Sequence, residues 1–518
     1  MYICIIMKMK KMKKSILFTL LLFLSIAVWS QNKTEIRAAW LTGIYGLDWP
    51  HTHAVSESSQ HRQQQELCDI LDHLQRMNFN VVIFQTRIRG DVAYPSNIEP
   101  FNEVFTGREG GNPGYDPLAF AIQECHKRGM ECHAWMVAMP LGKRMHVASL
   151  KQASIVKKEP SITCTWGGEY YLNPAVPGTA RYLASLVREV VTKYDVDGVQ
   201  FDYLRYPDHV SNKFDALQYA RYGNGEDREE WRRNNITAII RTLYKEIKSI
   251  KPWVKVSTCP IGKYRDLQGY SSNGFNAYHV VYQDPQKWMR EGIQDIIFPM
   301  MYFRDNNFYP FARDWQDHSY GRYVAPGLGI YFMDANENKG AKLWRLSDIN
   351  DEIKFIRENK MAGACYFRTS YLMRNVQQIA DILELSYYST PALTPSMHWM
   401  DSIPPSTPIG LQINRVGMST QLAWSPSTDN DEINQPQYIV YGANSWPVDT
   451  NDPGNILAIK VAGHQYIYNN DLNLPSLRYF AVTAVDRYGN ESAPAQMSKP
   501  LVITNHFDLL TSKLSYHE

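Results

Sequence analysis

Cysteine is scarce, at 7 of 518 residues. The cysteines are widely and irregularly spaced, with no CxxC pair and no Cys/His cluster of zinc type, so neither a disulfide framework nor a zinc-held fold is indicated. Most read as small core residues; a disulfide is permitted by an exported location but not assignable. No apolar run beyond the first thirty residues approaches the roughly 18 residues of a spanning helix. No G-x-G-x-x-G turn follows an expected strand and no P-loop is present, which argues against nucleotide-binding folds. Charge of one sign is also lacking, with 54 Lys+Arg against 52 Asp+Glu and a net +2. Neither a coiled coil nor disorder is indicated by a composition this ordinary.

What is present begins with an address. Lys8, Lys10, Lys11, Lys13 and Lys14 precede an apolar run from Ser15 to Trp29, and small residues surround a cleavage point before Gln31, the pattern of a secretory leader over residues 1–30. The expectation is an exported protein, periplasmic or extracellular, with membrane attachment only if the leader stays uncleaved. Losing those five lysines takes the formal charge from +2 to −3, so nucleic acid is a poor partner for the mature chain.

From Gln31 onward, short β-rich runs alternate with amphipathic helices, the pattern of a parallel sheet covered by helices. Eight strands are expected: Ile36 to Thr42, Asn80 to Thr86, Glu131 to Val137, Gly198 to Phe201, Val254 to Cys259, Asp295 to Met300, Val324 to Ile330 and Gly363 to Phe367. Eight strands with helices between them close a (β/α)8 barrel over residues 31–386, with a doubly wound open sheet as the alternative. Long loops follow strand two (Arg87 to Tyr115) and strand three (Met139 to Asn173), longer than such connections usually are. A Pro/Ser/Thr-rich stretch, 387–404, reads as an exposed linker. Beyond it, Leu422, Trp424, Tyr438, Val440, Tyr441, Tyr479, Ala481, Thr483 and Val485 lie on short alternating runs, as in an all-β, immunoglobulin-like sandwich over 405–503, leaving a tail at 504–518.

In a barrel the loops after the strands surround the functional mouth. The strand beginning at Gly198 delivers Asp202 to that end, with Tyr203, Arg205 and Tyr206 behind it. Glycosidic hydrolysis usually uses two carboxyl groups, one protonating the leaving oxygen and one serving as nucleophile or base. Asp202 supplies one; Asp48, Asp91, Asp305 and Asp334 are options for the other, each also readable as a loop or cap residue. Arg87, Arg205 and Arg368 lie near strand ends, where they hold a polar or carboxylated sugar or pair with the acids. His133 orients a sugar hydroxyl or sits satisfied in the core. Trp40, Trp49, Trp135, Trp166, Tyr302 and Tyr331 are options for stacking on sugar rings, several of them equally suited to the core. No ligand set for a catalytic metal is evident, and neither metal nor other cofactor is needed for this reaction.

Several blocks together are specific: Arg37-Ala-Ala-Trp-Leu-Thr42 with Leu47-Asp-Trp-Pro50, Phe84-Gln-Thr-Arg87 with Gly90-Asp-Val-Ala-Tyr-Pro-Ser96, Gly114-Tyr-Asp-Pro-Leu118, Cys125-His-Lys-Arg-Gly129, His133-Ala-Trp135, Leu172-Asn-Pro174, Tyr194 to Pro207, and Trp231-Arg-Arg-Asn234. Over roughly residues 35 to 385 the chain resembles the glycosyl-hydrolase-like-10 family of bacterial envelope proteins. The resemblance implies a TIM-barrel glycoside hydrolase acting on a bacterial glycan, with peptidoglycan strands the leading expectation. Many members carry a second Asp where this chain reads Phe201-Asp202-Tyr203. Asp91 is favoured over Asp305 as the second carboxyl because it lies inside a family-like block. A noncatalytic glycan-binding barrel is the competing reading, and a deacetylase or lyase a weaker one. The C-terminal blocks Leu422-Ala-Trp-Ser-Pro426, Tyr438-Ile-Val-Tyr441 and Tyr479 to Ser492 resemble a fibronectin type III module, which implies a spacer or binding domain.

Overall fold

The computed structural model describes residues 31–431, 433–469 and 477–496; the leader, the tail and the last residues of the expected sandwich lie outside them. Eight parallel strands form the barrel: β1 (Ile36–Leu41), β2 (Val81–Arg87), β3 (Glu131–Val137), β4 (Gly198–Asp202), β5 (Lys255–Thr258), β6 (Ile296–Ile297), β7 (Tyr323–Val324, resumed at Gly327–Leu328) and β8 (Gly363–Tyr366). They neighbour one another in chain order, and β8 pairs back onto β1. Strand seven closes the ring. Ala325 and Gly327 donate backbone N–H groups to β6 and its extension, while the carbonyls of Val324, Pro326 and Leu328 accept from Ala362, Cys365 and Phe367. Pro326 has no N–H to give, but its carbonyl faces β8 and the ladder survives the interruption. The expected strands six and seven are therefore shorter as regular ladders than their apolar runs.

Helices cover the outside. α1 (Glu57–Arg76) starts at a capping box in which Ser56 and Ser59 satisfy each other's backbone, and buries Leu67, Ile70, Leu71 and Leu74 at helical spacing. α2 (Pro117–Lys127) is capped by Asp116 and has Pro at its first position. α3 (Pro177–Lys193) buries Leu183, Leu186, Val187, Val190 and Val191, the stripe that positions β4. Side chains on each barrel strand alternate between two cores. Ile36, Ala38 and Trp40 point with Val81, Ile83, Trp135, Phe298 and Cys365 into the barrel, whereas Ala39 and Leu41 join the layer beneath the helices.

Two segments differ from the sequence expectation. The long connection after β3 contains an antiparallel three-stranded sheet, Pro140–Lys143, Thr163–Trp166 and Glu169–Leu172, and a short helix, Arg144–Ser149. The stretch read as an exposed linker is packed: Tyr387, Tyr388, Ala392 and Met397 are buried, and Leu393 exchanges backbone hydrogen bonds with Lys33 and Glu35 beside β1. Apolar residues spaced among its prolines have a barrel surface to cover, which composition alone does not reveal. The C-terminal region forms two antiparallel sheets, one of three strands (Ile409–Val416, Ser419–Ser425, Gln465–Asn469) and one of four (Ile456–Val461, Gln437–Ala443, Tyr479–Val485, Ala495–Gln496), packed over Leu422, Trp424, Tyr438, Val440, Phe480 and Val482. The outer face of the four-stranded sheet is also buried, through Ile439, Tyr441 and Ala481. Among the described residues, no helix is long and apolar enough to cross a membrane.

Candidate active site

β4 carries Asp202 to the C-terminal end of the barrel, where only 6% of the residue is exposed. Its carboxylate accepts from the Tyr203 N–H at 2.7 Å and from Trp135 Nε1 at 3.2 Å. Burial pushes its pKa above the usual carboxylate range; the charge of Arg205 and the donors Cys259, Tyr203 N–H and Trp135 pull the other way without cancelling that effect. A carboxyl whose pKa is raised in this way is better suited than an ordinary one to giving a proton to a leaving oxygen. Tyr203 turns outward in a left-handed conformation, φ 49, and the Arg205 guanidinium lies 4.6 Å from its ring centroid. Arg205 pairs with Asp208, while its buried Nε has no hydrogen-bond partner. Beside them, Trp166, Glu169, Tyr171 and Asp208 line a cleft with Tyr203 and Arg205. Tyr302, Tyr331 and Phe367 add a partly buried aromatic group after β6, β7 and β8, with Tyr302 5.7 Å from Tyr331 and 5.6 Å from Phe367 between centroids.

The other expected site residues divide sharply. Trp135, Tyr203, Arg205, Tyr302 and Tyr331 lie toward the mouth. Trp40 does not offer a stacking face: it is buried inside the barrel, its indole N–H held by Gln200 Oε1 at 2.7 Å. Trp49 is likewise core. His133 lies fully buried near the opposite end of the barrel, bonded to Glu131 at 2.9 Å and packed so closely under Gly198 that a Cβ there would meet the ring at 2.7 Å. Arg87 is fully buried and bonds both oxygens of Glu99, at 2.7 and 2.6 Å, as well as the Val137 and Ala138 carbonyls, so it ties loops together. Asp48 takes the Thr42 N–H and the Arg368 guanidinium and joins the loops after β1 and β8. Tyr206 is buried against Tyr282, and Asp305 is exposed on a short turn. Asp334 pairs with Arg374.

Asp91, expected as the second carboxyl, is fully buried. Its oxygens accept from the Arg89 N–H at 3.0 Å and Asn102 Nδ2 at 2.8 Å, and His146 Nε2 pairs with it at 3.2 Å. Two internal donors and an imidazole partner on a carboxylate with no exposed surface make it the organiser of its loop, and this arrangement leaves it no face for a sugar. Asp91, Glu109 and His146 could in principle hold a metal, since a ligand atom from each lies within 4.8 Å of the others. Both imidazole nitrogens, however, already face carboxylates, with Nδ1 3.1 Å from Glu109. Burial lowers the His146 pKa, but hydrogen bonds and charge from Asp91 and Glu109 outweigh it and push the value up to about 10. The imidazolium thus occupies the cation's place.

Sequence reasoning did not single out Glu169, Tyr45 or Arg89. Glu169 adjoins the Tyr170-Tyr171 pair in a loop already marked by its length; for Tyr45 and Arg89 no local signal distinguishes them.

A closed parallel barrel whose C-terminal mouth gathers a buried carboxyl of raised pKa, arginine and aromatic side chains has the build of a glycosidase-like protein. The chain belongs to the glycosyl hydrolase-like 10 family, which it matches over residues 35–323. It is 31% identical over 487 residues to the glycosyl hydrolase YngK of Bacillus subtilis, covering 89% of this chain and 93% of that protein. It is 32% identical over 399 residues to the glycosyl hydrolase DigH of Escherichia coli K12, covering 69% of this chain and 88% of that one. Among solved structures it is similar to alpha-L-fucosidase isoenzyme 2 from Paenibacillus thiaminolyticus, at 14% identity and a TM-score of 0.45, over 69% of this chain and 49% of that one.

Proposed function

We propose that this chain is an exported glycoside hydrolase that cleaves a bacterial envelope glycan, peptidoglycan strands being the leading substrate. The observation that carries the reading is Asp202: a buried carboxyl with a raised pKa at the end of β4, in a mouth lined by aromatic rings and arginine. Asp202 acts as the general acid. The second carboxyl is Glu169, which lines the same cleft as Tyr203 and Arg205 and accepts a hydrogen bond from Tyr171 Oη at 3.3 Å, a loose engagement beside that of Asp91. In this reading the C-terminal sheets are a fibronectin type III-like module; their strand order, three against four, supports that assignment. The basic and apolar leader supports export.

The test is incubation of the purified chain with peptidoglycan, with and without stem peptides, and with plant and host glycans, followed by mass spectrometry. New reducing ends from peptidoglycan strands are expected. Binding without any cleavage would replace the hydrolase with the noncatalytic glycan-binding barrel.

A further inference from the structure

Two tyrosines at the mouth share one arrangement. Tyr45 follows β1 and Tyr203 follows β4; both hold left-handed backbones, φ 56 and 49, and both are exposed, at 69% and 43%. Bulky side chains are genuine outliers there, and such conformations, costing of order 1–3 kcal/mol, persist where the surroundings over-determine them. Each ring is backed by a guanidinium, with Arg89 Cζ 4.9 Å from the Tyr45 centroid and Arg205 Cζ 4.6 Å from that of Tyr203. Arg89 also donates to Tyr45 Oη at 2.5 Å.

The support beneath Tyr45 is built in. The Arg89 N–H is held by Asp91 at 3.0 Å and its carbonyl by His146 Nε2 at 3.1 Å, and Asn102 fixes Asp91 from the other side at 2.8 Å. Tyr45, Arg89, His146, His53 and Asn102 line a hollow open to solvent, with the Glu103 carboxylate also on its wall. Among the described residues, Arg89 forms no ion pair with a carboxylate, so its charge is uncommitted. An exposed ring fixed in place beside an uncommitted guanidinium matches a sugar face next to an anionic substituent.

We infer that Tyr45 and Arg89 form a distal glycan subsite, which takes a pyranose ring of an acidic polysaccharide while Tyr203 and Arg205 hold another ring of the same chain beside Asp202. This rests on the glycan-cleaving reading of the mouth. β2 and β3 lie between β1 and β4, and three strand spacings are roughly 14 Å along the sheet. One sugar cannot touch both platforms. The substrate is then a chain of several sugars.

The experiment measures binding by the full-length Asp202→Asn protein, so that cleavage does not interfere. The probes are peptide-free peptidoglycan glycan chains of two and of eight sugars, and the same chains with their carboxyl groups converted to amides. Eight-sugar chains are expected to bind more tightly than two-sugar chains. Adding Tyr45→Ala should weaken the eight-sugar complex by about two- to tenfold and shrink the length preference; Tyr45→Phe, which keeps the ring, should retain most of it. Arg89→Gln should remove the preference for free carboxylate over amide. Tyr320→Ala is the control: Tyr320 is also exposed, at 46%, and left-handed, φ 50, but precedes β7 at the opposite end, and should change nothing. Thermal unfolding establishes that each variant is folded. No length preference in the Asp202→Asn parent, an equal Tyr45→Ala effect on both lengths, or no binding at all overturns the subsite. Length- and Tyr45-dependent binding by a chain whose unmutated form cuts nothing would sink the hydrolase reading and leave the subsite standing.

Discussion

The two ends of the barrel use the same residue types to opposite effect. At the N-terminal end, buried acids are matched with cations. Glu131 bonds Lys255 and His133, Asp295 bonds Lys248 at 2.7 Å, and Glu35 bonds Arg37 and Arg357 at 2.9 and 2.8 Å. Asp197 takes Lys460 of the C-terminal region at 2.6 Å and His126 at 2.7 Å. Burial pulls the carboxyls of Glu131 and Asp197 upward in pKa, but Lys255 for the first and Lys460 with His126 for the second outweigh it, and both end low. At the mouth, Asp202 is just as buried and ends high. The difference lies in the partner: ammonium groups in direct contact hold the first two charged, whereas Asp202 has an indole, an amide and a guanidinium occupied by Asp208. Ion pairs tie loops together at the mouth as well, as in Arg87–Glu99 and Arg368–Asp48, but Asp202 stands apart from them as a buried acid with no ammonium in contact.

Breaking that contrast should produce effects of graded size. Asp202→Asn should lower turnover by about 10²–10⁴-fold, the usual contribution of a general acid or base, with the unfolding transition retained. Lys460→Met strands Asp197 with fewer partners, and a loss of stability of about 3 kcal/mol is expected in denaturant unfolding, toward the low end for broken buried pairs because His126 remains; an unchanged midpoint would show that the C-terminal region contributes no staple. Asp91→Asn places an NH2 where donors converge, and about 1–3 kcal/mol should be lost, with faster amide exchange around Arg89. The last effect is that of pH on the His146 clamp. Because the folded pKa is raised to about 10, its stabilisation is full below the unfolded value near 6.5 and disappears as pH rises through about 10. The stability gap between parent and His146→Gln should therefore close across that window, and a gap constant from pH 6 to 10 would remove the clamp.

Much of this fold was legible. The eight strands were placed by short β-rich runs between helical stripes, and Asp202 was placed at the mouth because Gly198 to Phe201 ends there. What local pattern could not show is which polar residues the tertiary structure would enclose. Arg87, Asp48 and Asp91 stand at strand ends as catalytic groups do, yet Glu99, Arg368 and His146, distant in sequence, claim them. His133 and Trp40 alternate correctly for the barrel interior, but how deep each sits depends on register across strands. The stretch at 387–404 reads as a tether because proline, serine and threonine are frequent in it; its docking depends on Leu393, Thr394 and Trp399 finding Lys33, Glu131 and Asp295, contacts that no window of sequence contains.

The account rests on Asp202 holding the proton that a glycosidic leaving group needs. The dependence of kcat/KM on pH for peptide-free glycan strands tests this directly, with parent and Asp202→Asn measured side by side. For the parent, activity should persist to a pH above the ordinary carboxylate range near 4 and fall as Asp202 loses its proton, and that alkaline limb should be absent from the residual activity of the variant. An alkaline limb that persists unchanged in a folded Asp202→Asn protein of near-normal turnover would contradict the assignment.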